Sequence, residues 1–167
     1  MVLGGAHCLT QTNLPWGPLG KTQECSVFFG EYSYKVDEKG RVPLPPRFRQ
    51  EMKDGVVLSR GIGERCIAVY PIREWKKLAD KLAEKTLTPA SLRKLNRAIF
   101  GTAFDTSFDG QGRIKLPDSL RDYAKIADTA IVVGANNLVE IWSEEAWKAE
   151  RASDEEQASQ LIESFGA

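Results

Sequence analysis

Asp37-Glu38-Lys39-Gly40-Arg41 is written a second time as Asp109-Gly110-Gln111-Gly112-Arg113, at an offset of 72 residues. The residues beyond each copy return at the same offset: Val42 as Ile114, Leu44-Pro45 as Leu116-Pro117, Phe48-Arg49 as Leu120-Arg121. Further out, Ile67, Val69, Tyr70 and Trp75 recur as Val139, Ile141, Trp142 and Trp147. Matches at one fixed spacing over so many positions mark a tandem duplication of one small unit. The chain's function is then to be sought in what this unit does with its Asp-x-x-x-Arg turn.

The turn has readable chemistry. Gly40 and Gly112 stand where a tight turn needs a positive φ, which glycine adopts at little cost. The short carboxylates of Asp37 and Asp109 are placed to accept hydrogen bonds from the turn's own N–H groups. Ahead of it, Phe28, Tyr32, Tyr34 and Val36 fall in near alternation, the pattern of a strand with one covered face. Arg41 to Leu44 reads as the returning strand of a hairpin, so each arginine sits on a stiff local frame. Pro45-Pro46 and Pro117-Asp118 open short helices, in which Phe48 with Met52, and Leu120 with Ala124, keep the i, i+4 spacing of a buried face. Val56–Leu58 and Ala130–Val133 read as short strands, with Ile67–Tyr70 and Val139–Trp142 as their partners. Each unit is therefore β-turn-β, short helix, β-loop-β, then a helix carrying Trp75 or Trp147.

Between the copies Ile72, Trp75, Leu78, Ala79 and Leu82 form one apolar helical stripe. Thr88-Pro89 starts a second helix by an N-cap and proline. There Leu92, Leu95 and Ile99 face inward, Arg93, Lys94 and Arg97 form a solvated face, and Gly101 ends the run. The domain reading is an irregular extension over 1–26, a first unit over 27–87, a linker helix over 88–101, a second unit over 102–152 and an acidic tail over 153–167. The extension has no counterpart before the second copy, and an alternative start at Val27 would explain it. Phe28, Phe29 and Tyr32 read as an edge-strand or subunit contact, and Trp75, Trp147, Tyr70 and Trp142 as core aromatics.

Composition narrows the function classes. The 167 residues suit one ordinary core or two small fused ones, and the hydrophobic and charged fractions, 42% and 28%, are those of a globular protein. No apolar run approaches the roughly 18 residues of a membrane span, and no signal-peptide pattern opens the chain, so cytoplasm is the expected compartment. Formal net charge is zero. It is unevenly spread, because from Glu144 onward the acids Glu144, Glu145, Glu150, Asp154, Glu155, Glu156 and Glu163 face only Lys148 and Arg151. The remainder is correspondingly basic, compatible with a localised cationic patch. Cys8, Cys25 and Cys66 lack metal-site spacing, and His7 is the sole histidine, so neither a zinc site nor a His-based triad is expected. No cofactor or small-molecule substrate is implied.

Two copies of Asp-x-x-x-Arg, each followed by Leu-Pro and a short helix, resemble the MraZ family. So do Phe29-Gly-Glu-Tyr before the first copy and Glu140-Ile-Trp-Ser after the second. The resemblance covers about residues 27–152. It implies an α+β fold of two tandem swapped-hairpin SpoVT/AbrB-type units, pairing within one chain as a pseudo-dimeric barrel with linking helices. It also implies a bacterial transcription regulator, a repressor type associated with the nucleoid, that binds short DNA repeats upstream of the cell-division and cell-wall gene cluster as a ring-like homo-oligomer. Carried over by position, Arg41 and Arg113 are the DNA-binding arginines, framed by Asp37, Gly40, Asp109 and Gly112.

The chemistry agrees. A guanidinium matches the O6 and N7 acceptors of guanine, a bidentate contact worth roughly 1–3 kcal/mol of discrimination. Lys35, Lys39 and Lys115 lie close by and are expected on phosphates, which position a protein without reading sequence. Gln111 stands where the first copy has Lys39, so the two turns are expected to contribute unequally. A lone Asp-x-x-Gly-Arg is more often a plain capped turn; the duplication and the family resemblance together tip the balance here. Two alternatives compete. One is a protein-interaction module of antitoxin type, clasping a partner with its acidic tail. The other is a hydrolase using Asp37 or Asp109 as acid or base, for which no nucleophile, histidine or metal cluster speaks.

Overall fold

The alternating stretch ahead of the first turn becomes β1 (Glu31–Lys35), and the residues after it β2 (Arg41–Pro43). The structure is a computed structural model that describes residues 27–84 and 88–164; the readings of residues 1–26, with His7, Cys8 and Cys25, fall outside these. The first half continues through α1 (Pro46–Glu51), β3 (Val56–Arg60), β4 (Ile67–Pro71) and α2 (Ile72–Ala83). Helix α3 (Pro89–Ile99) starts where Thr88 accepts a hydrogen bond from Ser91 N and runs into a 3-10 turn at Phe100–Thr102. The second half repeats the first as β5 (Phe104–Thr106), β6 (Arg113–Lys115), α4 (Asp118–Ala124), β7 (Thr129–Ala135), β8 (Leu138–Ser143) and α5 (Glu144–Ser164).

The expected α+β class and the pairings β3–β4 and β7–β8 are both present. Six strands make one antiparallel sheet in the order β1-β7-β8-β4-β3-β5. Each half places its first strand on the other: β1 pairs with β7 from Glu31↔Val133 to Lys35↔Thr129, and β5 pairs with β3. At the centre Ile67 faces Ile141 and Val69 faces Val139. Since Val139 and Ile141 are the 72-residue counterparts of Ile67 and Val69, the two halves are related by a pseudo-two-fold.

Two expectations change. β1 and β2 do not form a hydrogen-bonded hairpin. Asp37 N–H to Arg41 O at 3.0 Å and Gly40 N–H to Asp37 O at 2.9 Å close the turn; then the strands part, β1 to β7 and β2 to β6. Nor do the strands close into a barrel, because β2 and β6 form a separate two-stranded ribbon beside an open sheet. The physical reason is the exchange: each half's first strands find their hydrogen-bond partners on the other half.

Between sheet, ribbon and the short helices lies the main core. Phe28, Val42, Leu44, Phe48, Leu58, Ile67, Ile114, Leu116, Leu120 and Ile141 are all buried there. Phe28 thus belongs to the core and not to an edge or subunit contact. It meets Phe48 edge-on at 5.2 Å between ring centres, and Tyr32 meets the same ring at 5.6 Å. Gly134 makes room for this segment, since a Cβ there would lie 2.6 Å from the Phe28 carbonyl carbon. Phe29 stays exposed beneath the Arg47 guanidinium, 3.7 Å from its ring centre. On the sheet's other face Trp142 is buried against Cys66 and Ile131, with Trp147 of α5 packed beside it. The α2 stripe is only half-buried, and the buried residue of that helix is Glu74, which accepts from Lys77 and Asn137. Among the described residues no helix is long and apolar enough to cross a membrane.

Phe28→Ala should destabilise the fold by about 3–5 kcal/mol, the usual cost of emptying a buried aromatic site. Equilibrium denaturant unfolding checks this; a loss below about 1 kcal/mol would mean that the segment ahead of β1 is not part of the core.

Candidate nucleic-acid interface

Along the β2–β6 ribbon the register is Arg41↔Lys115, Val42↔Ile114 and Pro43↔Arg113. Side chains alternate across a strand, and directly paired residues share a face. One face therefore carries Val42 and Ile114, both fully buried in the core. The other carries Arg41, Arg113 and Lys115. The alternation of apolar-in and charged-out residues in each copy is what delivers both arginines to one surface.

The turns that precede them are alike in detail. Asp37 Oδ1 accepts from Lys39 N and Arg41 N, each at 2.9 Å. Asp109 Oδ1 accepts from Gln111 N at 2.9 Å and Arg113 N at 3.0 Å. Gly40 and Gly112 take φ of +72° and +73°, as their place in the turn requires. One oxygen of each carboxylate thus frames the backbone.

The second oxygen joins the halves. Asp37 Oδ2 accepts from Arg41 Nε at 2.8 Å and from Arg113 Nη1 at 3.3 Å. Asp109 Oδ2 accepts from Arg113 Nε at 2.8 Å and from Arg41 Nη1 at 3.5 Å. The four side chains form a crossed ring of ion pairs, each arginine shared between its own aspartate and that of the other half. The arginines are engaged in these pairs but not sealed off: 28% of the Arg41 side chain and 22% of Arg113 remain exposed. Two cations and two anions cancel, so the net charge of this surface is set by its surroundings. Lys35, Lys39, Arg41 and Arg113 line one surface concavity together with Val36, Asp37 and Glu38. Lys115 is exposed on the ribbon opposite Arg41.

Backbone N–H bonds from its own turn, above all that of Arg41, hold the Asp37 carboxyl below its usual range. The same contacts from Arg113, backbone and then side chain, bring Asp109 down to about 2. This is the direction opposite to what a general acid at neutral pH needs. Elsewhere, ligand atoms of Glu64, Cys66 and Glu140 lie within 4.8 Å of one another. Burial raises the Cys66 thiol and both carboxyls, and Glu140 already accepts from Trp142 Nε1 at 3.0 Å. The group is a packed thiol beside two acids.

Arg49 and Arg121 were visible in the sequence only as a repeated Phe/Leu-Arg pair. The structure sets them against the turns: a Cβ on Gly40 would lie 2.7 Å from Arg121 Nη1, and one on Gly112 would lie 2.8 Å from Arg49 Cδ. Their recurrence at offset 72 was the signal that could have found them, but spacing does not reveal which turn each one meets.

Comparison with known proteins gives a consistent result. The family model described as MraZ protein, antitoxin-like, matches twice in tandem, over residues 27–98 and 99–164. The transcriptional regulator MraZ of Dehalococcoides mccartyi is 51% identical over 139 residues, 83% of this chain and 98% of the relative. That of Herpetosiphon aurantiacus is 40% identical over 141 residues, covering 84% and 98%. That of Thermomicrobium roseum is 42% identical over 124 residues, covering 74% and 87%.

Because the folded state holds these carboxylates below their ordinary pKa, their contribution to stability is complete above about pH 4. It fades as pH falls toward the folded value of about 2 for Asp109. Unfolding midpoints measured against pH should therefore show Asp37→Asn/Asp109→Asn less stable than wild type at neutral pH, with the gap closing below pH 4. A gap independent of pH would contradict the ring.

Proposed function

Since the chain belongs to the MraZ family, we propose that it is a sequence-specific DNA-binding transcriptional regulator, reading short repeats upstream of the division and cell-wall gene cluster through Arg41 and Arg113. The observation that carries this is the placement of two arginines, one from each half, side by side on the outer face of a two-stranded ribbon with Lys35, Lys39 and Lys115 around them. A β-ribbon is of a size to enter the major groove, and arginine is the commonest reader of guanine there. Aspartates that hold the guanidinium planes before DNA arrives reduce the ordering cost of binding. Lysines at the margin meet phosphates and set the register.

The finer architecture rests on the same premise. The exchanged first strands and the pseudo-two-fold support a swapped-hairpin pair built within one chain. One arginine pair over a formally neutral ring gives modest affinity. A ring-like homo-oligomer facing several repeats gains through effective concentration without any new kind of contact. Leu78 and Leu82 of α2 and Leu92 and Leu95 of α3, not fully buried in the single chain, suit burial between neighbouring copies.

Arg41→Ala combined with Arg113→Ala should lower affinity for the DNA upstream of the protein's own gene by roughly a hundredfold or more, with the circular dichroism spectrum unchanged. Gel-shift titration tests this, and unchanged affinity rejects the assignment. Lys39→Ala and Lys115→Ala should weaken all DNA alike and each reduce the salt dependence by about one released ion.

A further inference from the structure

Gly40 and Gly112 are each gripped from the opposite half at two points. Leu116 N donates to Gly40 O at 2.9 Å, and Leu44 N donates to Gly112 O at 3.3 Å. Five residues beyond each leucine comes an arginine that covers the same glycine where a Cβ would stand, Arg121 over Gly40 and Arg49 over Gly112. Phe48 and Leu120, the residues just before these arginines, are buried in the core, so each arginine projects from a fixed short helix. At both positions Nε is buried without a hydrogen-bond partner among the described residues. A buried unpaired donor is costly, and it occurs at both counterpart positions. What the two positions share is the side chain lying over the glycine, since the Arg121 head is also paired with Asp118, Nη1 to Oδ1 at 3.5 Å.

We propose that Arg49 and Arg121 are positioning residues that act across the halves: Arg49 sets the Gly112-Arg113 turn, and Arg121 sets the Gly40-Arg41 turn. The mechanism is local. Each side chain lies against a glycine whose left-handed backbone most other residues adopt only at a cost, and that glycine directly precedes the reading arginine. Holding its backbone fixes the direction of the next N–H, which the turn aspartate receives, and hence the plane from which the guanidinium departs. The inference rests on Arg41 and Arg113 being the reading residues.

The wiring is crosswise, and that makes it testable. Arg49→Ala should weaken gel-shift affinity for the DNA upstream of the protein's own gene by about tenfold, within the range of couplings between contacting residues. In an Arg113→Ala background the further loss should be under about twofold, and in an Arg41→Ala background about tenfold again. Arg121→Ala should give the mirror pattern. Equal losses in both backgrounds, or none, overturn the proposal. Arg49→Met keeps the length of the stem and removes the charge; it should bind within about threefold of wild type, whereas loss as large as that of Arg49→Ala would make Arg49 a phosphate contact and not a positioning residue. A readout without DNA separates failure of this idea from failure of the regulator reading. In amide NMR spectra of the free protein, Arg49→Ala should move the Gly112 resonance and leave that of Gly40, and the opposite or an equal response contradicts the crosswise contact. Should these shifts appear as expected while Arg41→Ala/Arg113→Ala binds DNA normally, the regulator reading is what has failed.

Discussion

Four charges drawn from two turns hold the outer face of the β2–β6 ribbon together. Each aspartate gives one oxygen to the backbone of its own turn and the other to both arginines, one of them from the opposite half. An ion pair of partly exposed side chains adds little stability by itself. Its value here is geometric. Two guanidinium groups that would otherwise sample many directions are tied to one another and to the ribbon beneath them, and the buried pair Val42 and Ile114 fixes that ribbon to the core.

The same arrangement reconciles a formally neutral chain with a nucleic-acid partner. Arginine–aspartate pairs cancel at the centre, and under the proposed function the lysines around them supply attraction to phosphates. On that proposal affinity per protomer is modest and strongly dependent on salt, while discrimination rests on oriented donors. In the proposed ring, cooperation between copies supplies the rest. The acids of α5 stand on a helix that packs against β7 and β8, and none of them lines the concavity beside the arginines.

Local features were legible in the sequence because they have local causes. Glycine at a positive φ, an aspartate capping its own turn, Thr88-Pro89 at a helix start and the apolar partners β3–β4 and β7–β8 were all readable from short stretches. The offset of 72 added that the halves are alike. The residues alone did not tell which half each strand pairs with, because a strand's pattern reports its covered face and not the identity of its neighbour; only the family resemblance implied an exchange between the units. Hence the hairpin that is no hairpin, with β1 on β7 and β2 on β6. Phe28 was misplaced for a related reason: the close approach at Gly134 that draws it into the core comes from the other half of the chain. The α2 stripe kept its helical period but is only half covered within one chain, since periodicity shows that a face is apolar and not what covers it.

The claim that both turns read DNA together is tested most directly by protection of guanine N7 from methylation on the DNA upstream of the protein's own gene. Guanines should be protected in pairs by the wild-type protein, with Arg41→Ala losing one member of each pair and Arg113→Ala the other. Protection that survives in both variants would contradict it.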